Sequence, residues 1–145
     1  MPVVVKATMM LADAAQAAEG KLYILGGGWS ITGPAPYPSA IALLIQVPWD
    51  RTNEEHRFRV ELVDSDGDAV VLESDDSGVQ PVIIEGSFEV GRPPAIKPGT
   101  PIDVPLAINV GPLPLPAGSR YEWRLSIDGE SHEDWRLAFS TRSTR

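Results

Sequence analysis

Apolar and polar residues alternate with period two through most of the second half of the chain. Phe58, Val60 and Leu62 alternate with Arg57, Arg59 and Glu61. Ile84, Phe88 and Val90 are interleaved with Glu85, Ser87 and Glu89. Ile102, Val104, Leu106, Ile108 and Val110 alternate with Asp103, Pro105, Ala107 and Asn109. The same rhythm returns in Tyr121, Trp123, Leu125 and Ile127, and again in Trp135, Leu137 and Phe139. Successive side chains of a strand point to opposite faces, so each segment buries one face and wets the other. Antiparallel sheets packed on one side have this pattern.

The breaks agree with it. Asp64-Ser65-Asp66-Gly67-Asp68 and Asp128-Gly129-Glu130-Ser131 each contain Asp-Gly, whose residues tolerate the positive φ of hairpin turns. Residues 92–101 and 112–116 are rich in proline, which fixes φ and removes a donor, so they read as extended loops. Pro105 inside a strand points to an edge strand or a bulge. In the first third, residues 3–11 and 21–31 read as strands. Residues 13–20 read as a short helical turn, with Asp13 as N-cap and Gly20 as its end. Residues 40–47 are apolar at both parities, as in a central strand covered on both faces or one that contributes to an interface.

About nine short strands and no long helix predict an all-β fold. The expected form is a two-layer antiparallel β-sandwich, with an immunoglobulin-like Greek key preferred to a jelly roll. One domain is expected over residues 1–140, with 141–145 as a flexible tail.

Composition narrows the chemistry. With 145 residues and 43% hydrophobic content, the chain has the material for a core without a metal or disulfide staple. It has no cysteine, which removes disulfides, thiolate zinc sites and cysteine nucleophiles together. Net charge is −8, and nine acids but no Lys or Arg lie between Arg59 and Arg92. Nucleic-acid binding needs a basic footprint, so that class is set aside. The longest apolar run, residues 40–45, is far below the roughly 20 residues that cross a bilayer. The start Met1-Pro2-Val3-Val4-Val5-Lys6 lacks the pattern of a secretory leader, so a soluble, cytoplasmic protein is expected.

Leu11-Ala12-Asp13, followed by Gly20-Lys21-Leu22-Tyr23-Ile24-Leu25-Gly26-Gly27-Gly28-Trp29, resembles the opening of a family of small bacterial proteins known only as a domain of unknown function. The resemblance is strongest over the first 30 residues, and Pro116-Ala117-Gly118-Ser119-Arg120-Tyr121-Glu122-Trp123 is similar as well. It implies no activity, so function is argued from the residues.

Gly26-Gly27-Gly28 follows a strand but opens no helix, so it reads as a bulge or a close packing point and not as a phosphate cradle. Asp64, Asp66 and Asp68 place carboxylates at alternate positions, as calcium loops do. The flanks are strands and the glycine falls at the wrong position for an EF-hand. A tight acidic hairpin is the first reading, and weak calcium binding helped by Glu73, Asp75 or Asp76 the second. His56 and His132 read as solvated loop histidines without partners. Phe58, Phe88, Tyr121, Trp123, Trp135 and Phe139 fall on apolar parities and are assigned to the core.

Trp29, Tyr37 and Trp49 lie in or beside loops, where an aromatic ring either plugs the end of the core or anchors a ligand or partner. With Leu44 on the doubly apolar strand they form the candidate binding set. No catalytic motif and no cofactor are implied. The expected function is a non-enzymatic binding or assembly module that meets a protein partner or a second copy of itself, with calcium or carbohydrate binding as the alternative.

Overall fold

The computed structural model describes residues 5–74 and 78–144. Its strands are β1 Lys6–Ala12, β2 Ala14–Ala18, β3 Lys21–Leu25, β4 Ile31–Thr32, β5 Ser39–Val47, β6 Glu55–Asp64, β7 Val71–Ser74, β8 Gly78–Pro81, β9 Ile83–Glu89, β10 Ile102–Val110, β11 Arg120–Ile127 and β12 Glu130–Thr141. The only helical element among the described residues is a single 3₁₀ turn, Trp49–Arg51. The fold is all-β, and the excess over nine strands comes from short pairings such as β2, β4 and β8.

Two sheets share one core. The order β1-β5-β10 forms the first and β4-β12-β11-β6-β9 the second, while β2-β3 and β7-β8 are separate hairpins. Alternation decides which side chains enter the core. From β5 these are Ile41, Leu43, Ile45 and Val47, and across from them stand Val60, Leu62, Tyr121, Trp123 and Leu125. Phe88, Trp135 and Phe139 are buried with them, whereas Phe58 is half-buried at the margin.

The doubly apolar segment is the centre of the first sheet, with β1 on one side and β10 on the other. Its outer parity is covered too: Ala40 and Ala42 are buried where the β2-β3 hairpin packs over β5 and β10. Asn109 Nδ2 donates to the Ala15 carbonyl at 3.2 Å and ties the hairpin down. Pro105 lies on β10, an edge strand of its sheet, as its missing donor requires.

Residues 13–20 are not helical. Ala14–Ala18 pairs antiparallel with Lys21–Leu25, and Glu19 and Gly20 make the turn at φ 52° and 73°. A helix this short gains little from its own hydrogen bonds, and pairing with the strand-forming Leu22, Tyr23 and Ile24 prevails. The segment 21–31 is likewise split. Gly26 and Gly28, at φ 63° and 93°, turn the chain out of β3 and towards β4 in the opposite sheet. A side chain at Gly26 would meet the Asp13 carboxylate, and one at Gly27 would meet Met10 and Ile24, so it is these neighbours and not the Trp29 ring that require glycine here.

At the other terminus Thr141 is the buried last residue of β12. Its Oγ1 donates to the Pro116 carbonyl at 2.7 Å and accepts from the Ser119 amide at 3.0 Å.

Gly86 offers a test of the packing. It faces Phe58 across the β6-β9 ladder, and a Cβ there would come within 2.7 Å of the ring. Overpacking of this kind costs about 1–3 kcal/mol. Urea unfolding should show that loss for Gly86→Val. Gly111→Ala, at a position with nothing within 4 Å, should change stability by less than about 0.5 kcal/mol.

Candidate functional site

One end of the shared core opens into a narrow cleft. Its first wall is the loop Gly33-Pro34-Ala35-Pro36-Tyr37, which leaves β4 through a cis Gly33–Pro34 bond. Arg142 holds this loop: its amide donates to the Thr32 carbonyl at 2.8 Å and its Nη1 to the Gly33 carbonyl at 3.0 Å. The facing wall is the proline-rich connection after β10, in which Leu113 and Leu115 turn inward against the core while the prolines between them keep the chain extended. Trp123 and Phe139 form the floor.

Trp29 packs edge-on against Phe139, with ring centroids 6.1 Å apart and an interplanar angle of 83°. Its body completes the core, but its Nε1 is buried without a hydrogen-bond acceptor. Left with no acceptor of any kind, such a donor would cost about 1–3 kcal/mol. Beside it Tyr37 is 65% exposed. The enclosed space is about 40 Å³, enough for water but far below the roughly 300–1,000 Å³ of small-molecule pockets. No carboxylate, histidine, lysine or arginine lines the cleft. Its polar side chains among the described residues are the hydroxyls of Thr32, Tyr37, Ser39 and Thr141 and the Trp29 indole.

The other candidate residues lie elsewhere. Trp49 sits beyond Val47, the end of β5 opposite Ser39, which separates it from the Tyr37 loop by roughly 26 Å of strand. The Arg92 guanidinium stacks over its ring at 4.1 Å and donates to the Trp49 carbonyl at 2.6 Å and to Thr52 Oγ1 at 2.7 Å. Trp49 is thus engaged within the chain. Leu44 is half-buried on the outer face of the first sheet, between Thr8 and Pro105.

Asp64, Asp66 and Asp68 do converge, with a carboxylate oxygen of each within 4.8 Å of the others. Asp64 Oδ1 accepts the amides of Asp66 and Asp68 at 2.9 and 3.0 Å, so this carboxylate builds the turn. Glu73 lies on β7, while Asp75 and Asp76 fall outside the described residues.

His56 is not a solvated loop histidine. It is fully buried on β6 and stacks on Phe88 at 5.2 Å. Its Nε2 donates to the Arg51 carbonyl at 2.9 Å, and its Nδ1 donates to Asp128 Oδ2 at 2.7 Å. A carbonyl can only accept, and so can an ionised carboxylate, so with Asp128 ionised the arrangement calls for a proton on each ring nitrogen. Asp128, in the Asp-Gly turn between β11 and β12, also accepts the Arg57 amide at 2.9 Å. The partners are 72 positions apart, and Glu54-Glu55 before the histidine resembled a wet strand end. His132 is exposed as expected, resting on Trp135 with centroids 4.7 Å apart.

Burial disfavours the charged ring, but the bonds to Asp128 and to the Arg51 carbonyl outweigh it and raise the His56 pKa. Asp128 is also penalised by desolvation, yet the bonds from His56 and the Arg57 amide lower its pKa. A raised histidine stabilises fully below its unfolded value of about 6.5, and the effect fades as pH rises through the folded value. A lowered aspartate stabilises above about pH 4, and that is lost as pH falls through its folded value. Melting temperature should therefore hold between these limits and decline on the alkaline side. His56→Gln should be less stable and should lack that alkaline decline in the same melting series.

Among the described residues no helix is long and apolar enough to cross a membrane. No curated protein and no solved structure matches the chain. A family described as a family of unknown function, DUF6941, matches residues 7–140. With that match covering nearly all of both sheets and including His56 and Asp128, the chain belongs to the DUF6941 family.

Proposed function

We propose that the chain is a non-enzymatic binding module that holds a protein partner at the Trp29–Tyr37 cleft. The observation that carries this reading is the buried Trp29 Nε1–H without an acceptor, placed next to the exposed Tyr37 ring. Because that atom has no accessible surface, a partner's backbone carbonyl would reach it only as the Gly33–Tyr37 loop gives way on docking, while Tyr37 would supply the amphipathic contact common at protein interfaces. The small enclosed volume favours a surface contact over an engulfed metabolite or sugar. The lining has no carboxylate, histidine, lysine or arginine, and its one titratable side chain is the Tyr37 phenol, which speaks against hydrolytic chemistry in the cleft.

The scaffold of this reading is an immunoglobulin-like sandwich. Strands β1-β5-β10 facing β12-β11-β6-β9 support that assignment, because they follow the A-B-E and G-F-C order of such domains. The strand after C then stays on the C side. In this arrangement the cleft lies among connecting loops, where sandwich domains carry their binding residues.

A pull-down from the native host tests the proposal. The chain should recover one protein in near-stoichiometric amount. Tyr37→Asp should lose it while keeping the wild-type melting temperature. Trp29→Phe keeps the ring and removes the donor, and should weaken binding about 3- to 10-fold, the worth of one hydrogen bond. Equal recovery by all three proteins would overturn the assignment.

Calcium binding at Asp64, Asp66 and Asp68 is the second reading, favoured by the convergence of their carboxylates. It requires a rise in melting temperature with added calcium that Asp66→Asn abolishes. An unchanged wild-type melting temperature would exclude it.

A further inference from the structure

Strand β3 pairs only with β2, and its outer edge carries no strand among the described residues. An open strand edge presents unpaired N–H and C=O groups, and proteins guard such edges with charge, proline or brevity. Four of the other edges follow that rule, while β1 and β2, like β3, carry no proline and at most one charge. Strand β9 carries Glu85 and Glu89, β10 carries Pro105, β8 ends at Pro81, and β4 has two residues. Strand β3 has one charge, Lys21 at its start, followed by Leu22-Tyr23-Ile24-Leu25.

Around this unguarded edge the side chains are apolar and wet. Leu25 is 71% exposed, Tyr23 51%, Ile24 41% and the adjoining Met10 38%. Such a concentration marks an interaction surface. A two-stranded hairpin is also marginal by itself and gains from further strands.

We infer that β3 pairs edge to edge with β3 of a second copy, giving a four-stranded sheet β2-β3-β3-β2 across a two-fold axis. The sequence of the strand is complementary to itself. With Tyr23 on the axis, Leu22 faces Ile24 of the second copy, so apolar residues meet on one face. Lys21 faces Leu25, and its ammonium reaches the Gly26 end of the opposing strand, where the Asp13 carboxylate stands against Gly26. Neither Lys21 nor Asp13 has an ion pair within the chain among the described residues. The two-fold axis forms this contact twice, which opposes the repulsion between two copies of net charge −8. The surface stands apart from the cleft, so this inference and the proposed function can fail independently.

The test is the solution mass of the full chain by light scattering. Wild type should give twice 15.6 kDa at high micromolar concentration. The double variant Tyr23→Lys/Leu25→Lys should give 15.6 kDa and should match the wild-type melting temperature at dilutions where both are monomers, since both side chains are exposed. Because the chain has no cysteine, a single introduced one reports unambiguously. Tyr23→Cys should cross-link to a dimer on mild oxidation, since facing Cβ atoms lie roughly 4.5–5.5 Å apart. Val79→Cys, exposed on β8, should not. A monomeric wild type, a dimer that survives both lysines, or equal cross-linking of the two cysteine variants would overturn the inference.

Discussion

Strand β5 is buried along its core face and over the first half of its outer face, and hydrogen-bonded along both edges, and the rest of the fold is arranged to meet those demands. Its core parity, Ile41, Leu43, Ile45 and Val47, must be covered by the second sheet. Its backbone needs partners on both sides, which β1 and β10 supply over most of its length. Its outer parity begins with the buried Ala40 and Ala42, small enough for the β2-β3 hairpin to lie against the sheet. Moving the register of this strand by one residue would put Gln46 among the core side chains, so its pairing is strongly specified.

The two ends of β5 are finished in opposite ways. Beyond Val47 the chain is closed by polar chemistry: Arg92 over Trp49, and the His56 ring between the Arg51 carbonyl and Asp128. Each of these polar groups is matched. Before Ser39 the closure is apolar and incomplete. Trp29 fills the end of the core, but its indole N–H has no acceptor and Tyr37 stays in solvent. That asymmetry is the physical basis for placing the binding surface at the Tyr37 end.

What could be read in the sequence follows from how local each signal is. The strands of the second half were legible because alternation and Asp-Gly turns are local, and β6, β10, β11 and β12 lie where they predict. The Ala-rich residues 13–20 were misleading. Alanine favours helix in isolation, and only the neighbouring Leu22-Tyr23-Ile24 edge turns the segment into strand. The candidate site was half legible. Trp29 and Tyr37 stood out as loop aromatics, whereas Leu113 and Leu115 were hidden in a segment read for its prolines. The pairing of His56 with Asp128 and the stacking of Arg92 on Trp49 join residues 72 and 43 positions apart, and no local pattern announces either.

On the proposed function a protein partner sits on Tyr37. Site-specific photocross-linking in the host cell tests it most directly, with a photoreactive phenylalanine at position 37 and, as a control, at the exposed position Val79. One dominant protein adduct is expected from position 37 and none from position 79. No adduct from position 37, or the same adducts from both positions, would contradict it.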